Sequence, residues 1–324
     1  MASADHLRQT QIALEPPAFE ADQRVCSAPA CPLCGSSNND LAFRDDGCAL
    51  RVCDNCELFF VDPYPPSAWQ HQQVSSGRHA EIEILDCARR HEGERLYYER
   101  HFASISQECA GATSLLDVGC GTGHLLERLA SRPGFYRAGI ELNPEAAEFA
   151  ERVAGCGIFR VPLEEFRAAR TFDVITMINV FSHIPSFDPM FRSLRLLLAP
   201  GGKLILRTSE MRRNVSRWNQ IHWGIPDDLH FLGLRTLEFI CTKYGFAIAR
   251  RARVPFEDEL FRTSRWQQMG RNQVQNLVKR TAIRVPGALR GIRKVYTACM
   301  GQRLFVSLIV LTPLPAREGA REVY

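Results

Sequence analysis

The chain has 324 residues, 45% hydrophobic and 23% charged, with 40 basic against 36 acidic residues and a formal charge of +4. That is enough for one large domain and a small one, and too little net charge for a global field that recruits nucleic acid. Residues 1–22 carry Asp, Glu and Pro without an apolar core, so no signal peptide is expected, and the aliphatic run at 304–311 is too short to span a bilayer. The twelve cysteines are therefore expected as core thiols or metal ligands of a cytoplasmic protein.

Residues 1–26 show mixed polarity, Pro16-Pro17 and no sustained period, the pattern of a disordered lead. Within 27–62, Cys31 and Cys34 form one Cys-x-x-Cys pair and Cys53 and Cys56 a second, eighteen residues further on. This spacing predicts a four-cysteine Zn2+ ribbon. Four thiolates close the coordination shell, so the ion is expected to be structural and not a Lewis acid. About thirty residues cannot bury a sufficient core without such a staple. A disulfide pair or inert thiols is the alternative, with Cys26 and Cys48 as spare ligands. Pro63, Pro65 and Pro66 stiffen the start of a linker and helical cap over 63–110, in which 81–106 reads as helix.

From 111 to 314 strands alternate with helices, which predicts a mostly parallel, doubly wound sheet with crossover helices. Strands are expected over 114–119, 136–142, 157–161, 172–180, 203–208 and 246–250, and helices over 124–131, 145–154, 189–198 and 234–244. Pro144 stands at a first helical turn, where proline is favoured. Pro200-Gly201-Gly202 reads as a helix stop. A basic helical insertion is expected over 255–303, a last strand over 304–311 and a tail over 315–324.

The most informative segment is Leu115-Leu116-Asp117-Val118-Gly119-Cys120-Gly121-Thr122-Gly123, a strand entering a glycine turn and then a helix. Glycines let the backbone approach a ligand while helix N–H groups point at it. The dinucleotide pattern G-x-G-x-x-G fails here, because the third position is His124 or Leu126. Acid followed by G-x-G-x-G instead resembles the class I S-adenosylmethionine (SAM)-dependent methyltransferases. The resemblance continues through Phe172–Ile175, Asn179–Ile184 and Leu197–Leu204. It implies a Rossmann-like seven-stranded α/β sheet whose last strand is antiparallel. It also implies that Asp117 orients the methionine part of SAM, that Gly119, Gly121 and Gly123 line it, and that Glu141 accepts both ribose hydroxyls. A carboxylate suits that last task because two oxygens can take two donors. Leu142 and Asn179 complete the implied cofactor contacts. Two departures stand out: Val161-Pro162-Leu163 replaces the acid that many members place beside adenine, and Ser182 replaces a glutamate before His183.

For a hydroxyl acceptor the chemistry needs a base, and histidine suits neutral pH. The candidates are His230, in Asp227-Asp228-Leu229-His230-Phe231, and His183, with His222 weaker. Each has a plain alternative: His183 holding its loop, His230 as a substrate contact or structural ring. Tyr97 and Tyr98 read as half-buried aromatics or as a lid. No Asn/Asp-Pro-Pro-Tyr segment or Pro-Cys pair follows the fourth strand, which argues against amide-nitrogen and pyrimidine C5 methylation. The ribbon, with Phe59–Pro65 after it, resembles that of a bacterial methyltransferase subgroup acting on glycans, lipid-linked sugars or secondary metabolites. The expected acceptor is accordingly a small molecule or a glycan or lipid-linked compound.

Residues 261–303 carry ten basic and no acidic residues. A lid over a phosphorylated or lipid-linked acceptor, peripheral contact with anionic lipid and a solvated helix pair all remain open. The alternative function is that of an RNA methyltransferase or RNA-binding protein that uses the zinc ribbon and these charges together.

Overall fold

The computed structural model describes residues 29–45, 48–76, 87–213, 228–255 and 304–315. Two sheets organise them. The smaller contains β1 (Asn39–Asp45), β2 (Cys48–Cys53) and β3 (Phe59–Asp62), each antiparallel to the next. Helices α1 (Ser67–Ser76) and α2 (Cys87–Glu108) follow. α1 has no counterpart in the sequence reading, since Ala68, Trp69 and Val74 make no stripe at helical spacing.

The larger sheet starts at β4 (Ser114–Val118) and adds α3 (His124–Arg128), β5 (Tyr136–Ile140), α4 (Pro144–Ala154) and β6 (Gly157–Phe159). It continues with β7 (Phe172–Ile178), a 3-10 turn at Phe181–His183, α5 (Phe187–Leu197) and β8 (Leu198–Met211). After the two-residue strand β9 (His230–Phe231) come α6 (Thr236–Tyr244), β10 (Phe246–Pro255) and β11 (Leu304–Pro313). The order is β10-β11-β8-β7-β4-β5-β6. Strands β4 to β8 pair in parallel, and β11 runs antiparallel between β8 and β10. This is the doubly wound, seven-stranded sheet expected, with the final strand reversed. β8 begins earlier than expected, taking in Pro200-Gly201-Gly202, and β10 runs five residues further.

Side chains alternate across the sheet, so each face has its own core. Leu116, Ile175, Leu204 and Leu206 pack with Phe187, Met190, Phe191 and Leu194 of α5. Leu115, Val174 and Ile205 pack with Ile105 of α2 and Ala147, Ala150 and Ala154 of α4. α4 is locally well specified: Asn143 caps it by accepting from the Ala146 N–H at 2.9 Å, and Gly155 ends it in the left-handed conformation.

The small sheet is not a separate bead. β9, which follows β8 in the chain, pairs with β3 as its fourth strand. Cys31, Leu33, Cys53, Cys56, Leu58 and Phe60 share a core with Phe181 of the 3-10 turn, Leu232 after β9, and Leu237 and Ile240 of α6. Burying Phe59, Phe60 and Phe231, each at most 1% exposed, stabilises this junction by about 1.5–3 kcal/mol per side chain. Glycine is required at 233, where a Cβ would lie 2.0 Å from the Glu57 carbonyl oxygen. Thr236 clamps the same spot, its hydroxyl accepting from the Gly233 N–H and donating to the Cys56 carbonyl, both at 2.9 Å. None of the described helices is long and apolar enough to cross a membrane.

Candidate active site

The glycine turn leaves β4 at the carboxyl edge of the sheet, where ligands of open α/β sheets bind. Gly119, Gly121 and Gly123 all have positive φ, between 54° and 80°. At Gly119 a Cβ would sit 2.3 Å from Val180 Cγ2, and at Gly123 it would sit 2.9 Å from Ala150 Cβ. Side chains are thus excluded twice over, by conformation and by space, and the backbone itself faces any ligand. The turn is also tied to the next strand, for the Gly119 and Cys120 N–H groups donate to the Ile140 carbonyl at 2.7 and 3.0 Å.

Glu141 follows directly and is buried. One oxygen accepts the Gly121 N–H at 2.9 Å and the other accepts the Asn143 N–H at 2.8 Å. These two bonds hold both carboxylate oxygens at the rim of the glycine turn. Asp117, also buried, accepts from the Thr176 hydroxyl at 2.7 Å, which fixes the carboxylate between β4 and β7. Leu142 is half-buried beside Glu141. Asn179 has φ 58°, a conformation asparagine tolerates. Its side-chain oxygen accepts from the buried Arg207, and its N–H donates to the Arg207 carbonyl at 3.0 Å. Nothing in the local sequence signals this engagement of Asn179 by Arg207, twenty-eight residues away.

The two expected histidines lie side by side but in different environments. His183, in the 3-10 turn after β7, is half-buried, with Nε2 3.7 Å from Asp228 Oδ1. The Ser182 hydroxyl donates to the same oxygen at 2.5 Å, and the Leu229 N–H donates to the Ser182 carbonyl at 2.8 Å. Asp228 is the residue the sequence reading passed over. Its role depends on a neighbour forty-five residues away, and only the flanking acidic pair hinted at it.

His230 is fully buried, its ring against Phe181 and Phe187 at centroid distances of 4.9 and 4.6 Å. Nδ1 shares a hydrogen bond with the Tyr64 hydroxyl at 3.3 Å. Burial, reinforced by the nearby His183, pushes its pKa down to about 3. Burial likewise raises the Tyr64 phenol, which stays protonated. His230 is therefore a neutral, enclosed ring joining β9 to the chain just after β3.

The four cysteines converge. Cys31 and Cys56 sulfurs are 3.6 Å apart, Cys34 and Cys53 sulfurs 3.5 Å, and all four lie within 4.8 Å of one another. A disulfide needs about 2.05 Å, whereas thiolates bound tetrahedrally at about 2.3 Å from zinc lie about 3.8 Å apart. Both knuckles turn through positive φ, at Gly35 and Glu57. Hydrogen bonding from Cys56 draws the Cys31 thiol down to about 6, and the Cys56 thiol rises in response; burial pushes Cys53 up to about 11. Four neighbouring thiols cannot all ionise without a cation among them, and this donor set fits Zn2+. Salt bridges from Arg213 to Asp54 at 2.7 Å and from Arg235 to Glu57 at 3.4 Å hold the second knuckle to the main sheet.

His222, the basic stretch 261–303 and the side chains of Tyr97 and Tyr98 lie outside the described residues. The expected lipid contact and the RNA alternative both draw on that stretch.

A family model described as a methyltransferase domain matches residues 78–250. The ubiquinone biosynthesis O-methyltransferase of Xanthomonas euvesicatoria is 38% identical over 114 residues, 33% of this chain and 47% of that protein. The protein of the same name from Histophilus somni is 32% identical over 148 residues, 42% of this chain and 61% of its own. The chain thus spans about half the length of the curated relatives it matches. Among solved structures, a SAM-dependent methyltransferase from Thiobacillus denitrificans in complex with S-adenosyl-L-homocysteine is 15% identical, with a TM-score of 0.45, covering 68% of this chain and 97% of that one.

Proposed function

We propose a reaction on one premise: the chain belongs to the methyltransferase-domain family and is a class I SAM-dependent methyltransferase. The reaction is transfer of a methyl group to a hydroxyl oxygen of a small-molecule acceptor. The observation that carries it is the row of groups along one sheet edge. Asp117 and Glu141 flank a glycine turn without side-chain bulk, and His183 with Asp228 follows the adjacent β7.

SAM supplies a methyl group already activated on a sulfonium. Glu141, whose two carboxylate oxygens suit two donors, would accept from the ribose hydroxyls, Asp117 would orient the methionine part, and backbone from Gly119 to Gly123 would line it. What is left for the protein is alignment and removal of one proton. His183 would take the hydroxyl proton as the new O–C bond forms and the S–C bond breaks. Asp228 would orient the ring and balance its charge. This reading prefers His183 to His230, because a ring with a pKa of about 3 and no exposure cannot collect a proton from an acceptor. His230 and Tyr64 instead position the wall beside it. Relatives named for O-methylation support the hydroxyl assignment.

Cys31, Cys34, Cys53 and Cys56 would hold Zn2+, which supplies a structural cross-link when bound. The test is to incubate the protein with methyl-labelled SAM and a panel of phenols, alcohols and amines, using His183→Ala as control. Label on a hydroxyl oxygen, lost in the variant, is expected; label on nitrogen or carbon only would overturn the hydroxyl assignment.

A further inference from the structure

Apart from the cysteines, one other group of metal-ligating side chains gathers among the described residues. His91 on α2 and His124 and Glu127 on α3 bring ligating atoms within 4.8 Å of one another. His124 and Glu127 are three residues apart in one helix, so they share a face, and His91 meets them from the helix packed alongside. His91 Nε2 is 2.8 Å from Glu127 Oε2, and the two imidazoles meet edge to face with centroids 5.7 Å apart. We infer that His91, His124 and Glu127 form a second metal site, for a borderline divalent transition ion such as Zn2+ or Co2+.

Three observations support the ion over a simple histidine–carboxylate contact. First, the donor set is two imidazoles and a carboxylate whose ligating atoms all lie within 4.8 Å of one another, which suits such ions. Second, the outer shell is in place. His91 Nδ1 lies 3.1 Å from the Thr122 hydroxyl and 3.2 Å from the Thr122 carbonyl. Donating there fixes the tautomer that leaves Nε2 with a lone pair for a metal. Third, exposure is graded: His124 is buried, the His91 side chain is 14% exposed and that of Glu127 is 42% exposed. An ion can reach the group from the Glu127 side, and water can fill a fourth position, as in open three-ligand sites. Ligands about 2.0–2.2 Å from an ion lie about 3.3 Å apart. The closest pair, His91 Nε2 and Glu127 Oε2 at 2.8 Å, therefore opens by about half an ångström, a change within reach of the long Glu127 side chain.

The placement gives the site a consequence. Thr122 belongs to the glycine turn and α3 begins at its end, so an ion here would rivet α2 to the cofactor cradle. The inference stands on these three residues and not on the identity of the acceptor.

The experiment is a Co2+ titration of the full chain after its cysteine site has been filled with Zn2+. One further equivalent of Co2+ is expected, with d–d absorption and no thiolate charge-transfer band. Affinity for it should fall at least about tenfold in both His91→Ala and Glu127→Gln, as for loss of metal-site partners generally, and be unchanged in His71→Ala. Thermal melts check that each variant is folded, and Glu127→Gln, at the most exposed position, is the safeguard. The assignment is overturned if no further equivalent binds, or if folded Glu127→Gln binds it as tightly as the parent.

Discussion

In the cofactor cradle, Gly121 and Glu141 are twenty residues apart and meet through a backbone N–H. At the proposed acceptor wall, Tyr64 and His230 are 166 residues apart and meet through the Tyr64 hydroxyl and His230 Nδ1. The first region is assembled by one βαβ unit, whose parts stay adjacent wherever that unit folds. The second exists only while β3 pairs with β9 and the cysteine knuckles sit on α6. A locally encoded half thus adjoins a half that depends on long-range docking, and the two should fail separately.

Emptying the proposed four-cysteine metal site is the strongest way to break the comparison. Chelation of Zn2+, or Cys56→Ser, should abolish methylation by releasing β3 from β9, while S-adenosyl-L-homocysteine still binds. Structural zinc sites contribute on the order of 10 kcal/mol to folding, far more than the docking contacts can replace. Parallel calorimetry and activity measurements check this, and joint loss of binding and activity would mean that the halves are not separable.

Next in size is His183→Ala, expected to lower kcat by about 10²–10⁴, the usual contribution of a positioned base. KM for SAM should stay unchanged, because His183 belongs to the acceptor half. Steady-state kinetics with both substrates varied separates the two outcomes.

Gly119→Ala attacks the other half. Left-handed backbone alone costs a side chain about 1–2 kcal/mol, and the approach of Val180 at 2.3 Å adds to it, so the turn must shift. Cofactor binding should weaken by more than tenfold with the melting of the cysteine-rich sheet unaltered.

The last effect is on acid stability and not on catalysis. Folding lowers the His230 pKa from 6.5 to about 3, so below pH 6.5 the unfolded chain binds a proton that the folded chain refuses. The stability this ring contributes is complete above pH 6.5 and is lost as pH falls towards 3. The slope approaches about 1.4 kcal/mol per pH unit. Urea unfolding across this range should show the slope in the parent and a shallower one in His230→Gln.

What the sequence made legible follows the same division. Asp117, the three glycines and Glu141 are readable because backbone conformation and strand spacing are local constraints that leave a residue signature. The cysteine pairs are readable for the same reason. The two-residue β9 is not, since a period of two cannot be recognised in His230-Phe231. Nor could the burial of His230 be foreseen, because Phe181, Phe187 and Tyr64 become its surroundings only through tertiary packing. Asp228 reads as an ordinary loop acid until Ser182 and His183 are brought to it. Gly233 has no turn to justify it in the sequence; its reason is the Glu57 carbonyl.

The cradle carries the whole account, and calorimetry of S-adenosyl-L-homocysteine against the parent, Glu141→Ala and His183→Ala tests it most directly. One equivalent should bind to the parent and to His183→Ala alike. In Glu141→Ala affinity should drop by about 10–150-fold, since hydrogen bonds to a charged group contribute about 1.5–3 kcal/mol. Absence of binding to the parent, or equal affinity in Glu141→Ala, would contradict the cradle's assignment.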